Sequence, residues 1–172
     1  MKIRFWAVAL ILMSGSSAAF ADDGGRTWLT LGLNLIYGHV DLPCETDHSD
    51  CSEAGLLSGL TGAFTTATES GGLFRMRVAR IREADTDDDP VEVAALFGTR
   101  FGDSSVHGAL GVGRIFNPDD ELPGHRTGLA WELLFARDTD RDAAFEFAIQ
   151  GNFAGSAEYV GVNFGLRFGD MQ

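Results

Sequence analysis

A few residues of this chain have side chains that could take part in catalysis, and two of them lie in neighbouring segments. Ser58 and His39, with Asp41 or Glu53 to orient the imidazole, are the residue types of a hydrolase in which histidine activates a serine hydroxyl. Such a group acts only if the fold brings the serine and the histidine within hydrogen-bond reach. The alternative, which the sequence favours, is an interfacial histidine and a small strand serine without a catalytic role.

The two cysteines, Cys44 and Cys51, have six residues between them, a spacing that matches no standard zinc-binding pattern. Asp47, His48 and Asp50 lie between the two thiols, so a metal site is the alternative to a disulfide. Because an exported chain meets an oxidising compartment, we expect a disulfide that closes this loop.

Two short runs of aspartates resemble the start of a calcium-binding loop. The first run begins at Asp85, but Pro90 and Leu96 occupy the positions where an EF-hand needs Gly and Glu. The second run begins at Asp138 and fails at the same two positions. We therefore expect solvated turns, with no bound metal and no other cofactor. Weak recruitment of divalent cations by the acidic loops together is a separate hypothesis.

The composition narrows the class of protein more than its activity. The chain has 172 residues, of which 45% are hydrophobic, and its formal net charge is −12. This length suits one domain, and the absence of a basic tract argues against nucleic acid, which needs a dense cationic surface. The same acidity disfavours the docking of a soluble protein on an anionic membrane.

The N-terminal residues have the pattern of an export signal. Lys2 and Arg4 precede an apolar run from Phe5 to Met13, and Ala19-Phe20-Ala21 has the form of a signal-peptidase site. The apolar run is shorter than the ~20 residues of a membrane-spanning helix. We therefore expect residues 1–21 to be a cleaved signal peptide and residues 22–172 to form one domain.

The rest of the chain alternates between apolar and polar residues, which is typical of strands with two different faces. Eight segments show this pattern: Thr27–Val40, Leu56–Thr66, Leu73–Arg82, Val91–Phe101, Val106–Phe116, Thr127–Phe135, Ala143–Phe153 and Tyr159–Phe168. Short and long connections alternate between them, except that the last, 154–156, is short where a long one is due. An even number of strands joined in this way predicts an eight-stranded antiparallel up-and-down β-barrel in residues 22–172.

The polar face of these segments indicates which side of the barrel meets water. It consists mainly of small residues with a few charges of both signs, whereas a water-facing surface would be rich in Lys and Glu. The charged positions are Arg75, Arg77, Glu92, Arg100, Glu132, Glu146 and Arg167. Such residues suit the packed interior of an eight-stranded barrel, where the charges would pair and leave no broad channel. The apolar face would then contact lipid, which makes this a transmembrane barrel.

The last segment carries a more specific pattern. Its spacing of polar, glycine, aromatic and hydrophobic residues resembles the C-terminal assembly signal of bacterial outer-membrane β-barrels, and the chain as a whole resembles small barrels of the OmpA/OmpX type. The signal positions are Tyr159, Gly161, Phe164, Leu166 and Phe168. Family members often end on the aromatic residue, whereas four residues follow Phe168 here.

This resemblance implies a protein of the Gram-negative outer membrane, inserted by the barrel-assembly machinery, with both termini in the periplasm and the longer loops outside. Its partners would be outer-membrane lipid and lipopolysaccharide, and we expect a monomer. The resemblance implies no common activity, because the fold has structural, adhesive and enzymatic members. Our leading hypothesis is a non-enzymatic barrel whose acidic loops serve envelope structure or surface interaction. The alternatives are a lipid A-modifying enzyme acting through His39 and Ser58, and a soluble periplasmic lipocalin-like binder.

Overall fold

A computed structural model describes residues 25–41, 52–82, 89–116, 127–136, 143–155 and 157–170 of the chain. These residues form the strands β1 (Arg26–Asp41), β2 (Ser52–Ala67), β3 (Gly72–Arg82), β4 (Val91–Arg100), β5 (Val106–Phe116), β6 (Thr127–Phe135), β7 (Ala143–Phe153) and β8 (Ala157–Asp170). Every predicted segment is a strand, and β5, β6 and β7 have the predicted bounds. Among the described residues, no helix is long and apolar enough to cross a membrane.

The strands form one closed barrel in which each strand pairs antiparallel with the next, and β8 pairs with β1. The closing pair runs from Thr27 opposite Asp170 to Val40 opposite Ala157. Closure gives every strand a partner on both sides, which a sheet in lipid requires because no water is there to bind unpaired backbone groups. The prediction of an eight-stranded up-and-down barrel is confirmed.

The first hairpin is longer than its alternation pattern indicates. β1 and β2 remain paired as far as Asp41 and Ser52, four residues beyond the predicted start of β2 at Leu56. The additional residues, 52–55, are Ser, Glu, Ala and Gly, which show no apolar alternation. Pairing with β1, rather than a pattern of their own, makes these residues a strand.

Tight turns join the strands at the end of the barrel where β1 begins and β8 ends. Between β2 and β3, Gly71 has a φ of 90° and its N–H donates to the carbonyl of Thr68 at 3.0 Å. Between β4 and β5, Gly102 has a φ of 57°, and the N–H of Phe101 donates to the carbonyl of Val106 at 2.9 Å. Glycine adopts these backbone conformations without the strain that a Cβ would add. Turns of this kind help to set the register of the strands that they join.

The two faces of the barrel differ in character, and the apolar face is outside. Large hydrophobic side chains are exposed around the outer surface, and Phe145 reaches 83% exposure. The belt also includes Leu31, Leu33, Tyr37, Leu60, Phe97, Leu110, Leu129 and Phe164. Threonines, asparagines, arginines and glutamates are buried inside. A lipocalin-like binder would have its apolar face inside, so that alternative is wrong, and an apolar exterior of this extent requires lipid around it.

Candidate functional site

The interior of the barrel contains five charged side chains that alternate in sign along a chain of ion pairs. In order they are Glu146, Arg75, Glu132, Arg77 and Glu92, and each is at most 2% exposed. The successive N···O distances are 2.7, 3.0, 3.0 and 3.1 Å. We call these five residues the interior network. Because each buried charge has an opposite charge beside it, the cost of removing it from water is offset.

Arg77 has the most partners in the interior network. Its Nε and Nη2 donate to the carboxylate of Glu92 at 3.1 to 3.3 Å, and its Nη1 donates to Glu132 at 3.0 Å. Nη1 and Nη2 also donate to Gln150 Oε1 at 3.3 Å and to the hydroxyl of Tyr159 at 3.2 Å. The planar guanidinium has five donors in a fixed fork, so one arginine can connect strands on different sides of a narrow barrel.

Space for the carboxylate of Glu92 comes from a glycine on the neighbouring strand. Asn152 Nδ2 and the Tyr159 hydroxyl donate to Glu92 at 2.8 and 2.5 Å. A Cβ at Gly113 would lie 2.9 Å from Glu92 Oε1 and 2.5 Å from Asn152 Nδ2. The inward glycine of β5 therefore leaves room for the acid and its donors.

A group of uncharged polar side chains adjoins the interior network. Asn34 Oδ1 accepts hydrogen bonds from Asn163 Nδ2 at 2.7 Å and from Gln150 Nε2 at 3.3 Å. Asn34 Nδ2 donates to the hydroxyl of Thr61. At the other side of the network, Trp28 Nε1 donates to Glu146 at 2.9 Å. Polar contacts thus connect β1, β2, β7 and β8 across the interior.

Two clusters of buried apolar side chains adjoin these polar groups. The cluster nearer the long connections comprises Ile36, Ile81, Ile115 and Tyr159, with Leu57 packed against it. The other cluster is larger and extends toward the tight turns, and it consists of Trp28, Ala67, Leu73, Ala94, Leu96, Ala109, Ala130, Leu134, Ala136 and Ala148. Ala94, Ala130 and Ala148 are each two residues from a glutamate of the interior network on the same strand, so apolar and charged side chains alternate there. Among the described residues, buried side chains therefore fill the interior, as is typical of an eight-stranded barrel.

Two further arginines of the predicted interior lie nearer the tight turns. Arg167 is buried, and its guanidinium carbon is 5.6 Å from the centroid of the Trp28 ring. Arg100 is half-buried and lies opposite His107 in the β4–β5 pair. His107 is buried on the inward face of β5. Arg100, His107 and Arg167 lie at the turn end of the lumen and do not belong to the five-residue network.

The structure does not bring His39 and Ser58 together. Ser58 lies opposite Leu35 in the β1–β2 pair, whereas His39 lies opposite Ala54 in that pair and opposite Glu158 in β8. Leu35 and His39 are four residues apart, which is about 13 Å along a strand. Ser58 is exposed on the outer face. The expectation that the two residues are neighbours across the hairpin is therefore wrong, and a serine–histidine site would need that proximity.

Several predicted features fall outside the described residues. They include the signal peptide (1–21), Cys44 and Cys51, and most of the acidic connections. The disulfide and the cleavage of the signal peptide therefore remain predictions. Within the part of the chain that the structure describes, no group of three or more His, Cys, Asp or Glu residues could hold a metal ion.

The five assembly-signal residues all lie in β8, where they divide between the two faces. Tyr159 is buried inside and reaches the interior network, as described above, and Gly161 is buried against β1. Phe164, Leu166 and Phe168 are 61%, 42% and 42% exposed on the outer face. The use of these residues as an assembly signal remains a prediction.

Sequence reasoning underestimated the uncharged members of the interior. Alternation alone places Gln150, Asn152 and Asn163 on the polar face. Only the structure shows that they form hydrogen bonds with Arg77, Glu92 and Asn34, respectively. The pattern carries the parity of a residue but no information about its partner on a distant strand.

An eight-stranded closed barrel with an apolar exterior and a charged, packed interior defines the class: a small transmembrane β-barrel of the outer-membrane type. Solved structures with this fold include Ail, the attachment invasion locus protein of Yersinia pestis, with 14% identity and a TM-score of 0.52 over 84% of this chain and 99% of that chain. Neisserial surface protein A has 13% identity and a TM-score of 0.50 over 83% of this chain and 96% of that chain. These similarities establish the fold alone. No family model and no curated protein matches the sequence.

Proposed function

We propose that this protein is a non-enzymatic, non-conducting barrel of the Gram-negative outer membrane that presents its loops at the cell surface, for surface interaction or for envelope structure. The observation that carries the proposal is the packed lumen. Because the interior network and two buried apolar clusters fill the interior among the described residues, this proposal leaves transport no path through the barrel and assigns function to the connections outside it.

The composition of the long connections supports a role at the surface. Residues 42–51, 83–88 and 117–126 contain ten acids and one arginine. Such loops attract cationic partners and repel anionic ones over about 10 Å at 0.1 M salt. In this proposal the barrel is a monomer inserted by the barrel-assembly machinery, with outer-membrane lipid and lipopolysaccharide around it and the disulfide Cys44–Cys51 closing the first loop.

A structural neighbour suggests what the negative charge of the long connections means for the partner. One structure of Ail holds the heparin analogue sucrose octasulfate, which is a polyanion, and it has a TM-score of 0.50 to this chain at 14% identity. The acidic loops of this protein would oppose such a ligand. We therefore propose a cationic partner at the surface, and nothing in the described residues favours the lipid A-modifying alternative, since His39 and Ser58 are apart.

The orientation of the loops is the part of the proposal to test first. An epitope placed within residues 45–50 is expected to bind antibody on intact cells, because that connection lies at the exterior end. A matched epitope within residues 138–142, at the opposite end, is expected to bind only after the outer membrane is permeabilised. Labelling of the second epitope on intact cells, or failure to label the first, would contradict the proposed presentation of the loops.

A further inference from the structure

Three arginines interrupt the apolar exterior at the end of the barrel that carries the long connections. Arg80 and Arg82 are exposed on β3, and Arg114 is exposed on β5. All three occupy outward-facing positions, since the buried residues Ala79, Ile81 and the inward residue Ile115 alternate with them. We call them the rim arginines.

The other described arginines do not share this orientation. Arg75, Arg77, Arg100 and Arg167 have the inward parity of their strands, and so does Arg26 at the turn end of β1. Among the described residues, outward-facing cations are therefore confined to one end of the barrel. In a membrane, these outward-facing arginines would all lie on the side of the same leaflet.

The strand register brings two of the rim arginines toward one point. Arg80 and Phe116 lie on either side of Val91 in β4, in one row of paired residues. Arg114 is paired with Val93, which lies two residues from Val91 in the direction of the tight turns. The guanidinium carbon of Arg114 nevertheless lies 5.2 Å from the Phe116 ring centroid. The side chain of Arg114 therefore extends toward the row of Arg80. Two strand spacings of ~4.8 Å separate the backbones, a span that two arginine side chains can bridge around one anion.

Neighbouring groups fix the height and the orientation of this patch. Arg80 Nη2 forms an ion pair with Asp89 at 2.6 Å, which holds the side chain at the rim and uses one of three guanidinium nitrogens. Ser58 lies opposite Arg82 on the outer face, so a hydroxyl is the cross-strand neighbour of that cation. Leu60, opposite Arg80, is 61% exposed and belongs to the apolar belt. The cations thus adjoin the apolar belt on the side of the long connections.

We infer that the rim arginines, with the Ser58 hydroxyl, bind a phosphate group of lipopolysaccharide in the outer leaflet, on the lipid A moiety. The forked guanidinium suits a phosphate, with which it forms paired, charge-assisted hydrogen bonds. Continuity with the apolar belt selects a lipid, whose acyl chains cover Leu60 while its phosphate reaches the arginines. The location at the exterior end selects lipopolysaccharide over a phospholipid. This inference rests on the proposed outer-membrane location and assigns the lipid contact to named residues.

The test compares lipid binding by the full-length mature protein and by a variant with Arg80, Arg82 and Arg114 all changed to Gln. Native mass spectrometry in non-ionic detergent would measure binding of bisphosphorylated lipid A, its dephosphorylated form and phosphatidylglycerol. The parent is expected to bind bisphosphorylated lipid A about tenfold more tightly than either other lipid, and about tenfold more tightly than the variant does, which corresponds to ~1.4 kcal/mol. Arg26→Gln, at the other end of the barrel, is the matched control and is expected to bind like the parent.

Folding is checked on the same samples by the shift in gel mobility on boiling. If the triple variant loses that shift, Arg114→Gln alone is measured, with a threefold loss of lipid A binding expected and partial recovery in Arg114→Lys. A folded variant that binds lipid A as well as the parent would overturn the inference and leave the proposed function in place. Equal binding of phosphatidylglycerol by the parent would overturn the assignment to lipid A. Failure of the proposed function would appear instead in the epitope experiment.

Discussion

At the scale of single residues, the interior depends on arginines whose positive charges lie between carboxylates. Arg77 contacts two glutamates, an amide and a phenol from four other strands. Removing a charge from such a group leaves its partners buried without compensation, and this penalty is larger than the net stabilisation that an intact pair contributes. The interior also depends on a small residue at Gly113, because a methyl group there would collide with Glu92 and Asn152.

Replacing Arg77 with Met is expected to destabilise the barrel by about 3–5 kcal/mol, because Glu92 and Glu132 would lose a buried cation. Urea unfolding in lipid vesicles, followed by tryptophan fluorescence, measures the loss. Arg114→Met is the matched control, since Arg114 is exposed on the outer face, where its guanidinium lies over the Phe116 ring. It is expected to change the free energy of unfolding by no more than about 0.5 kcal/mol. Similar losses in the two variants would refute the role of the interior network.

At the scale of elements, aromatic side chains on the lipid face pack against one another and so connect neighbouring strands. Trp131 of β6 lies opposite Gly151 of β7, and its ring stacks with that of Phe153 at a centroid distance of 6.4 Å and an interplanar angle of 21°. Phe147 links β6 to β8 through ring contacts with Phe135 and Phe164 at 5.4 and 5.0 Å. These contacts join the strands near the closing seam on the side away from the polar interior.

Gly151→Ala is expected to destabilise the β6–β7 pair, by about 1–3 kcal/mol, because the added methyl group would be overpacked. Its carbon would lie 2.5 Å from Trp131 Nε1 and 2.7 Å from the backbone oxygen of Tyr159. The matched control is Gly62→Ala in β2, where the nearest atom would be Leu31 Cδ2 at 3.9 Å. The control is expected to be neutral or slightly stabilising, since alanine loses less conformational entropy in a strand than glycine does. The same urea experiment decides, and an equal effect of both substitutions would contradict the packing argument.

At the scale of the whole molecule, closure has two consequences that no strand has alone. It removes the sheet edges, so the backbone is satisfied in lipid. It also brings strands that are far apart in the chain to face one another, so that Arg75 of β3 meets Glu146 of β7 across the lumen. The interior is then full, and the outer surface and the connections remain as the parts of the molecule that can contact partners.

The purified barrel is therefore expected to produce no stable single-channel current in planar lipid bilayers, because buried apolar side chains and ion pairs fill the interior among the described residues. A general porin recorded in the same bilayers serves as the positive control, and fluorescence of the labelled protein confirms that it has inserted. Discrete, reproducible conductance steps from the inserted protein would show that the lumen opens, and they would return transport to consideration.

The sequence by itself determined the strands, their number and the face that each residue takes, because an alternation of period two is local and needs no knowledge of partners. It also indicated that the charged face is interior, from the small residues around Arg75, Arg77 and Glu132. It missed the early start of β2 at Ser52, which only pairing with β1 defines. It predicted that the interior charges would pair but not which residues would pair with which. Its expectation that His39 and Ser58 are neighbours was wrong.

Only the tertiary structure decided which groups meet. Register between strands depends on the turns and on closure, and a shift of a few residues changes the partners of every side chain. The structure therefore separates His39 from Ser58 by four residues of register, and it connects Arg77 to Glu92, Glu132 and Tyr159 across the lumen. Contacts between residues far apart in the chain arise from the curvature of the closed sheet, and a linear pattern does not contain that curvature.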